Sequence, residues 1–223
     1  MKSDWLKIVK HYESKGTFKN IPLLGIATFI GLYIFSSTLY PGGSQADLNS
    51  IGFDWIHNYL CNLMNEKGMN GKPNPGRPYA ILAVMVLSIS LMVFFIQFAN
   101  TFSTSTFWKR LIIVSGVISM TTASLIFTQY HDQMTIVSSI FGLVVVIGIL
   151  MEVYKSDWMM YKTSGAVCIL LLGVNNYIYY TGQYIENLPS LQKITFIVVL
   201  IWIIGLQNEL IKKKKDAKTQ NVS

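Results

Sequence analysis

The chain reads as alternating long apolar runs and short polar punctuation. A helix that crosses a bilayer needs about 20 mostly apolar residues. Six stretches meet that length: 21–40, 79–100, 107–130, 134–153, 158–181 and 191–211. The last carries Glu209 near its end, where a carboxylate can reach the interface. The pattern predicts an all-α polytopic membrane bundle of six transmembrane helices. Residues 1–20 form a basic N-terminal segment, 21–211 the helical domain, and 212–223 a basic tail.

One connection is long, covering 41–78. Its ends are turn-forming: Pro41-Gly42-Gly43 at one, and Pro73-Asn74-Pro75-Gly76-Arg77-Pro78 at the other. Between them, Asp54, His57, Asn58, Cys61, Asn62 and Asn65 share one face of a helical projection, and Ile56, Tyr59, Leu60, Leu63 and Met64 another. That periodicity predicts one amphipathic helix in the loop, N-capped by Asp54. Its Asn-rich face suits a lid packed with its polar side toward the bundle, near His131 and Asn175, rather than a solvated surface of Lys and Glu.

Composition agrees. Of 223 residues, 52% are hydrophobic and 13% charged, against roughly 25% charged in a soluble domain. The net charge of +7 does not form a groove-binding stripe with stacking aromatics, so no nucleic-acid partner is expected; membrane lipids are. Lys and Arg instead mark orientation. With the N-terminus inside, the inner segments hold Lys2, Lys7, Lys10, Lys15, Lys19, Lys109, Arg110, Lys155, Lys162, Lys212 to Lys215 and Lys218. The outer segments hold Lys67, Lys72, Arg77 and Lys193. Both ends are therefore expected in the cytoplasm, in a multi-pass protein of the cytoplasmic membrane. The run Lys212 to Lys215 reads as a stop-transfer flank. Trp5, Ile8, Val9 and Tyr12 are spaced for a short helix on the inner membrane surface. The first twenty residues are polar and basic, so no secretory leader is expected. Cys61 and Cys168 are too few for a disulfide framework.

Candidate chemistry gathers in the outer halves of the spans. Ser36, Ser37 and Thr38 end the first. Thr121, Ser124, Thr128 and His131 step by three, four and three through the third, as one stripe. Asn175, Asn176, Tyr179 and Tyr180 end the fifth. Amides facing hydrocarbon carry a penalty of several kcal/mol, so they should face one another or water. Interhelical hydrogen bonds suffice for Ser and Thr; Asn175-Asn176 suits a polar cavity open to the outside. The expected ligand contacts are His57, Asn58, Asn62, Arg77, Gln129, His131, Asn175 and Asn176. Arg77 would meet a lipid phosphate. The reading is a non-enzymatic binder of a lipid headgroup or small polar ligand, with no cofactor.

Two other readings compete. An intramembrane hydrolase or transferase would use His57 and His131, with zinc held by those two and Asp132; no HxxxH or HExxH spacing accompanies them. A transporter would need polar residues through the whole bilayer, and the inner halves are apolar. The order of parts resembles the DRAM and Frag-like group of six-span membrane proteins and its bacterial relatives. The features that carry this are a span, an outer loop with His57-Asn58-Tyr59-Leu60-Cys61-Asn62-Leu63, five more spans, and His131 opening the fourth. The resemblance implies a six-helix bundle. Some bacterial relatives have a Ser-Asp or Cys-Asp pair before that Leu; here Cys61-Asn62 lacks the carboxylate. A fainter resemblance, to intramembrane zinc hydrolases such as alkaline ceramidases, implies three metal histidines, and this chain has two on the outer side.

Overall fold

A computed structural model describes residues 18–220. The surface helix expected around Trp5 to Tyr12 lies outside them. Six α-helices follow one another: α1 Ile21–Thr38, α2 Arg77–Phe102, α3 Thr106–Ala123, α4 His131–Val153, α5 Met159–Thr181 and α6 Leu188–Gln220. Among the described residues the only β-type pairing is an isolated bridge between Lys67 and Pro73.

Local chemistry places the ends. Pro22 and Pro78 sit in the first turns of α1 and α2, where a missing N–H costs nothing and the fixed φ suits a helix. Gly182 closes α5 in the left-handed conformation at φ 70°, its N–H reaching the Ile178 carbonyl. Helices adjacent in sequence pack side by side, and α6 also meets α1 and α2. The chain is thus an up-and-down bundle closed by its last helix. Its face bearing residues 39–76 is called the loop face below.

Four helical segments are long and apolar enough to cross a membrane: Ile21–Thr38, Arg77–Phe102, His131–Val153 and Ile185–Lys213. Their apolar residues go all round. Leu24, Ile30, Ile34, Leu82, Ile89, Ile140, Ile194, Ile197 and Ile201 point outward while Phe94, Phe98, Ile149 and Leu206 fill the interior. Such a belt would be an aggregation patch in water and is ordinary in lipid. The chain is a helical, multi-pass membrane protein. α3 and α5 are more polar: α3 carries Lys109, Arg110, Thr121 and Thr122, and α5 carries Lys162, Asn175, Asn176 and several tyrosines.

Between lipid-exposed helices there is little hydrophobic gain, so contact depends on close approach. Glycines provide it. A Cβ on Gly25 would meet Ser90 of α2, one on Gly116 would meet the Phe95 ring at 2.5 Å, and one on Gly148 would meet Ile112 at 2.9 Å. Gly165 of α5 is wedged between Leu150 of α4 (2.7 Å) and Trp202 of α6 (2.9 Å). Polar ties add to this. Gln207, fully buried in α6, donates to the Lys19 carbonyl ahead of α1 (2.6 Å) and to Gln97 of α2 (3.2 Å). The Trp202 indole N–H donates to the Tyr161 carbonyl of α5 at 3.0 Å.

Several boundaries differ from the sequence reading, most of all at α3 and at α6, which runs on through the expected basic tail to Gln220 instead of stopping at 211. α3 stops at Ala123 instead of running to 130, and turns occupy 124–130. There the Ser124 and Thr128 hydroxyls donate to the Thr121 and Leu125 carbonyls, at 2.7 and 2.8 Å. Hydroxyls that bond locally compete with the helix ladder. Thr121, Ser124, Thr128 and His131 therefore do not form one helical stripe. α4 begins three residues earlier than expected, at His131.

Gly165→Val should lower stability by about 1–3 kcal/mol, the usual cost of overpacking, read as a drop in Tm of the detergent-solubilised protein. Gly31→Ala, where the added Cβ meets nothing within 4 Å, should be neutral or mildly stabilising. Equal effects at both positions would refute close packing at Gly165.

Candidate functional site

The loop of residues 39–76 is a folded cap, and its own side chains hold it. The expected amphipathic helix does not form. Asp54 starts a turn by accepting the Ile56 and His57 N–H groups, at 2.8 and 3.1 Å. The Asn58 side chain then turns back: its Oδ1 takes the Asp54 N–H at 2.9 Å, and its amide donates to the Gly43 carbonyl at 2.9 Å. Tyr59 is extended (φ −68°, ψ 151°), and a short 3-10 helix, Leu60–Met64, follows. Side chains that bond nearby backbone offer the chain an alternative to the helix, and here that alternative prevails.

The loop's other asparagines act the same way. Asn74 donates to the Leu63 and Asn65 carbonyls at 3.0 Å each, and its Oδ1 accepts the Gly76 N–H at 3.0 Å. Asn62 is buried and accepts from Gln45 at 3.3 Å. Gly43 adopts φ +85°, and a side chain there would strike the Asn70 backbone. The completely buried Leu63 anchors the cap from beneath.

The cap docks on three helices. Tyr33 of α1 donates its hydroxyl to the Leu60 carbonyl at 3.0 Å, and Ser36 donates to the Gly76 carbonyl at 2.8 Å. Arg77, opening α2, donates its Nε to the Met64 carbonyl at 3.1 Å and pairs with Glu66 at 3.2 Å. From α6, Ser190 donates to the Ile56 carbonyl at 2.8 Å, Gln192 accepts the Leu60 N–H at 3.2 Å, and the Lys193 ammonium donates to the Asn58 carbonyl.

The eight candidate ligand residues thus have varied surroundings. Asn58 and Asn62 are buried within the cap, and Arg77 ties it to α2. Asn175 donates to Thr195 of α6 and to the Leu171 carbonyl, and Asn176 to the Leu172 carbonyl of its own helix. Gln129 is exposed. His57 pairs with Asp54 at 2.8 Å and His131 with Asp132 at 3.0 Å; both rings are partly exposed. Among the described residues no three of His, Cys, Asp and Glu converge as metal ligands; His57, His131 and Asp132 form no such group.

A second set of side chains lies in one neighbourhood at the loop face. Asp132 of α4, Cys61 of the cap and Tyr179 of α5 lie within electrostatic reach of one another, and Tyr59 of Cys61 and Tyr179. The sequence reading placed Cys61 on the polar face of the loop, Tyr59 on its apolar face and Tyr179 among the polar groups ending the fifth span, and named none of the three as a ligand contact. Burial pushes the Cys61 thiol up to about 11, so at neutral pH it is a thiol, not a nucleophilic thiolate.

The opposite face holds a cavity of about 420 Å³. Phe98 and Phe102 of α2, Thr104 of the α2–α3 turn, Glu152 and Val153 of α4, residues 155–158 and Lys213 of α6 line it. The buried Glu152 carboxylate accepts the Thr104 N–H and hydroxyl at 3.2 and 3.3 Å and pairs with Lys155 at 2.9 Å. The sequence reading gave Glu152 no role.

Desolvation alone would raise Asp54, but hydrogen bonds from the His57 ring and from the Ile56 and His57 amides outweigh it and hold the carboxyl below its ordinary range. A depressed carboxylate stabilises the fold above the unfolded value, near 4, and loses that contribution as pH falls through the folded one. Asp54→Ala should therefore cost about 1 kcal/mol at pH 7, as for other caps. The gap between variant and wild type in thermal melts should close below the carboxylate range. A gap that persists at low pH would show that the carboxylate charge is not what caps the turn.

Comparison with known protein families, with curated proteins and with solved structures finds no match to this chain.

Proposed function

We propose that the protein crosses the cytoplasmic membrane six times with both ends inside. In this reading it binds a lipid headgroup or small polar ligand at its outer face and catalyses no reaction. The observation that carries the binding reading is the approach of Asp132, Cys61 and Tyr179, from α4, the cap and α5, to one another at the loop face. Three separate elements thereby bring polar groups within electrostatic reach of one another. His131 adds a partly exposed imidazole beside Asp132. Acidic and aromatic groups together suit a ligand with a cationic part, since a cation is drawn both to a carboxylate and to an aromatic face. The protonated Cys61 thiol supports a binding role over nucleophilic catalysis.

Six spans and this orientation rest on the Lys and Arg bias of the short connections and on the alternation of the six helices. The two polar helices, α3 and α5, complete the crossings, flanked by more apolar neighbours that share their burden of polar groups.

Two measurements check the proposal. In a background with Cys61→Ser and Cys168→Ala, Lys72→Cys on the exposed rim of the loop should be blocked by a membrane-impermeant thiol reagent added to intact cells. A Cys after Ser223 should react only after lysis. The reverse pattern overturns the orientation, and accessibility of both from one side removes a span. For binding, phosphocholine should raise the Tm of the purified protein. Asp132→Asn should weaken its half-saturation by roughly fivefold, the worth of about 1 kcal/mol for an exposed charge contact. An unchanged half-saturation in that variant would sink the outer site.

A further inference from the structure

The cavity opposite the loop is built differently from the Asp132, Cys61 and Tyr179 cluster, and it points to a different ligand. Its floor is aromatic: the Phe98 and Phe102 rings are 5.2 Å apart, and Trp158 meets Phe102 edge-on at 5.0 Å. Its wall is charged. Glu152, with 1% of its side chain exposed, would be a severe cost if unpaired. Lys155 and Thr104 compensate it, and Lys155 also donates to the Thr104 hydroxyl at 3.1 Å. This triad is neutral and fixed, and it holds the Lys155 ammonium at the cavity edge with one N–H to spare.

Lys213 is placed otherwise. The tail of α6 brings its ammonium back toward the bundle, 4.6 Å above the Phe102 ring, where it donates to the Thr101 carbonyl at 3.1 Å. Among the described residues no carboxylate pairs with it. Its neighbour Lys212 is neutralised by Glu209 at 2.8 Å. Among the described residues Lys213 thus has two N–H groups unused and no counter-ion, at the rim of a space large enough for a small polar group. Beside Lys155 and Lys213 the rim carries Asp157, which is exposed to solvent.

We infer that this cavity binds a phosphate ester, that of a phospholipid of the inner leaflet, through Lys213 and Lys155. The floor of Phe98, Phe102 and Trp158 would lie against the start of its apolar part. Two ammonium groups with free donors suit a phosphate's several acceptor oxygens. The aromatic floor favours the lipid source over a fully hydrated soluble phosphate. The cavity lies at the ends of the helices that close the bundle, where a headgroup would sit. The inference is independent of the outer cluster: neither Asp132 nor the cap contributes to it.

The experiment uses the full-length protein in a non-ionic detergent, with dihexanoyl phosphatidylglycerol as probe and thermal stability as readout. The wild type should gain stability with a saturable dose response. Lys213→Gln should raise the half-saturation concentration roughly tenfold or more, as expected for losing a hydrogen bond to a charged group. Lys212→Gln removes the same unit charge one residue away and should leave half-saturation unchanged. Both variants change exposed side chains, and their melting without lipid reports whether they fold. Asp132→Asn should respond as the wild type does. Equal weakening in the two lysine variants would reduce the effect to diffuse attraction by a basic tail and overturn the site. Absence of any lipid response would do the same. Glycerol phosphate saturating the site at similar concentrations would overturn the lipid assignment in favour of a soluble phosphate ester.

Discussion

Helices in hydrocarbon gain little by hiding apolar surface from one another, because the lipid is already apolar. What holds this bundle is the nearness of its backbones, and the rest depends on it. Gly25, Gly116, Gly148 and Gly165 stand where one helix leans on the next, each against a side chain that a methyl group would displace. Close approach then makes short polar links useful. Gln207 reaches both α2 and the residue before α1, and Trp202 reaches α5. In hydrocarbon such groups have no water to return to, so each link specifies one arrangement of neighbours.

The same accounting governs the cap, with side-chain amides in place of glycines. A loop of irregular backbone leaves many N–H and C=O groups without a ladder. Asn58, Asn70 and Asn74 supply the missing partners, which is why so many asparagines crowd this segment. Their amides are spent on architecture. The groups left facing outward, His131, Asp132 and the tyrosines near them, are a smaller set than a count of polar residues suggests.

The bundle was legible because apolar runs of spanning length carry their own signal; all six helices begin within about three residues of where the pattern places them. Two features were not legible, for definite reasons. Asp54 to Asn65 has helical spacing, but spacing does not reveal that Asn58 bonds Gly43, fifteen residues upstream. The run through Thr128 looked like a continuing helix because hydroxyl residues are tolerated in one; whether they bond back on the chain depends on where the next helix must start. The cavity beside Glu152 was invisible for another reason. Its walls come from three distant parts of the chain, and Glu152 alone reads as a charge ending a span.

α6 takes part in both faces. At one end Ser190, Gln192 and Lys193 grip the cap; at the other Lys213 overhangs the cavity. At 1.5 Å per residue, Ser190 and Lys213 lie about 35 Å apart along a single unbroken rod, slightly more than the hydrocarbon thickness. A rod of hydrogen-bonded turns does not absorb a twist applied at one end. The seat of the cap and the rim of the cavity are therefore positioned by one rigid element.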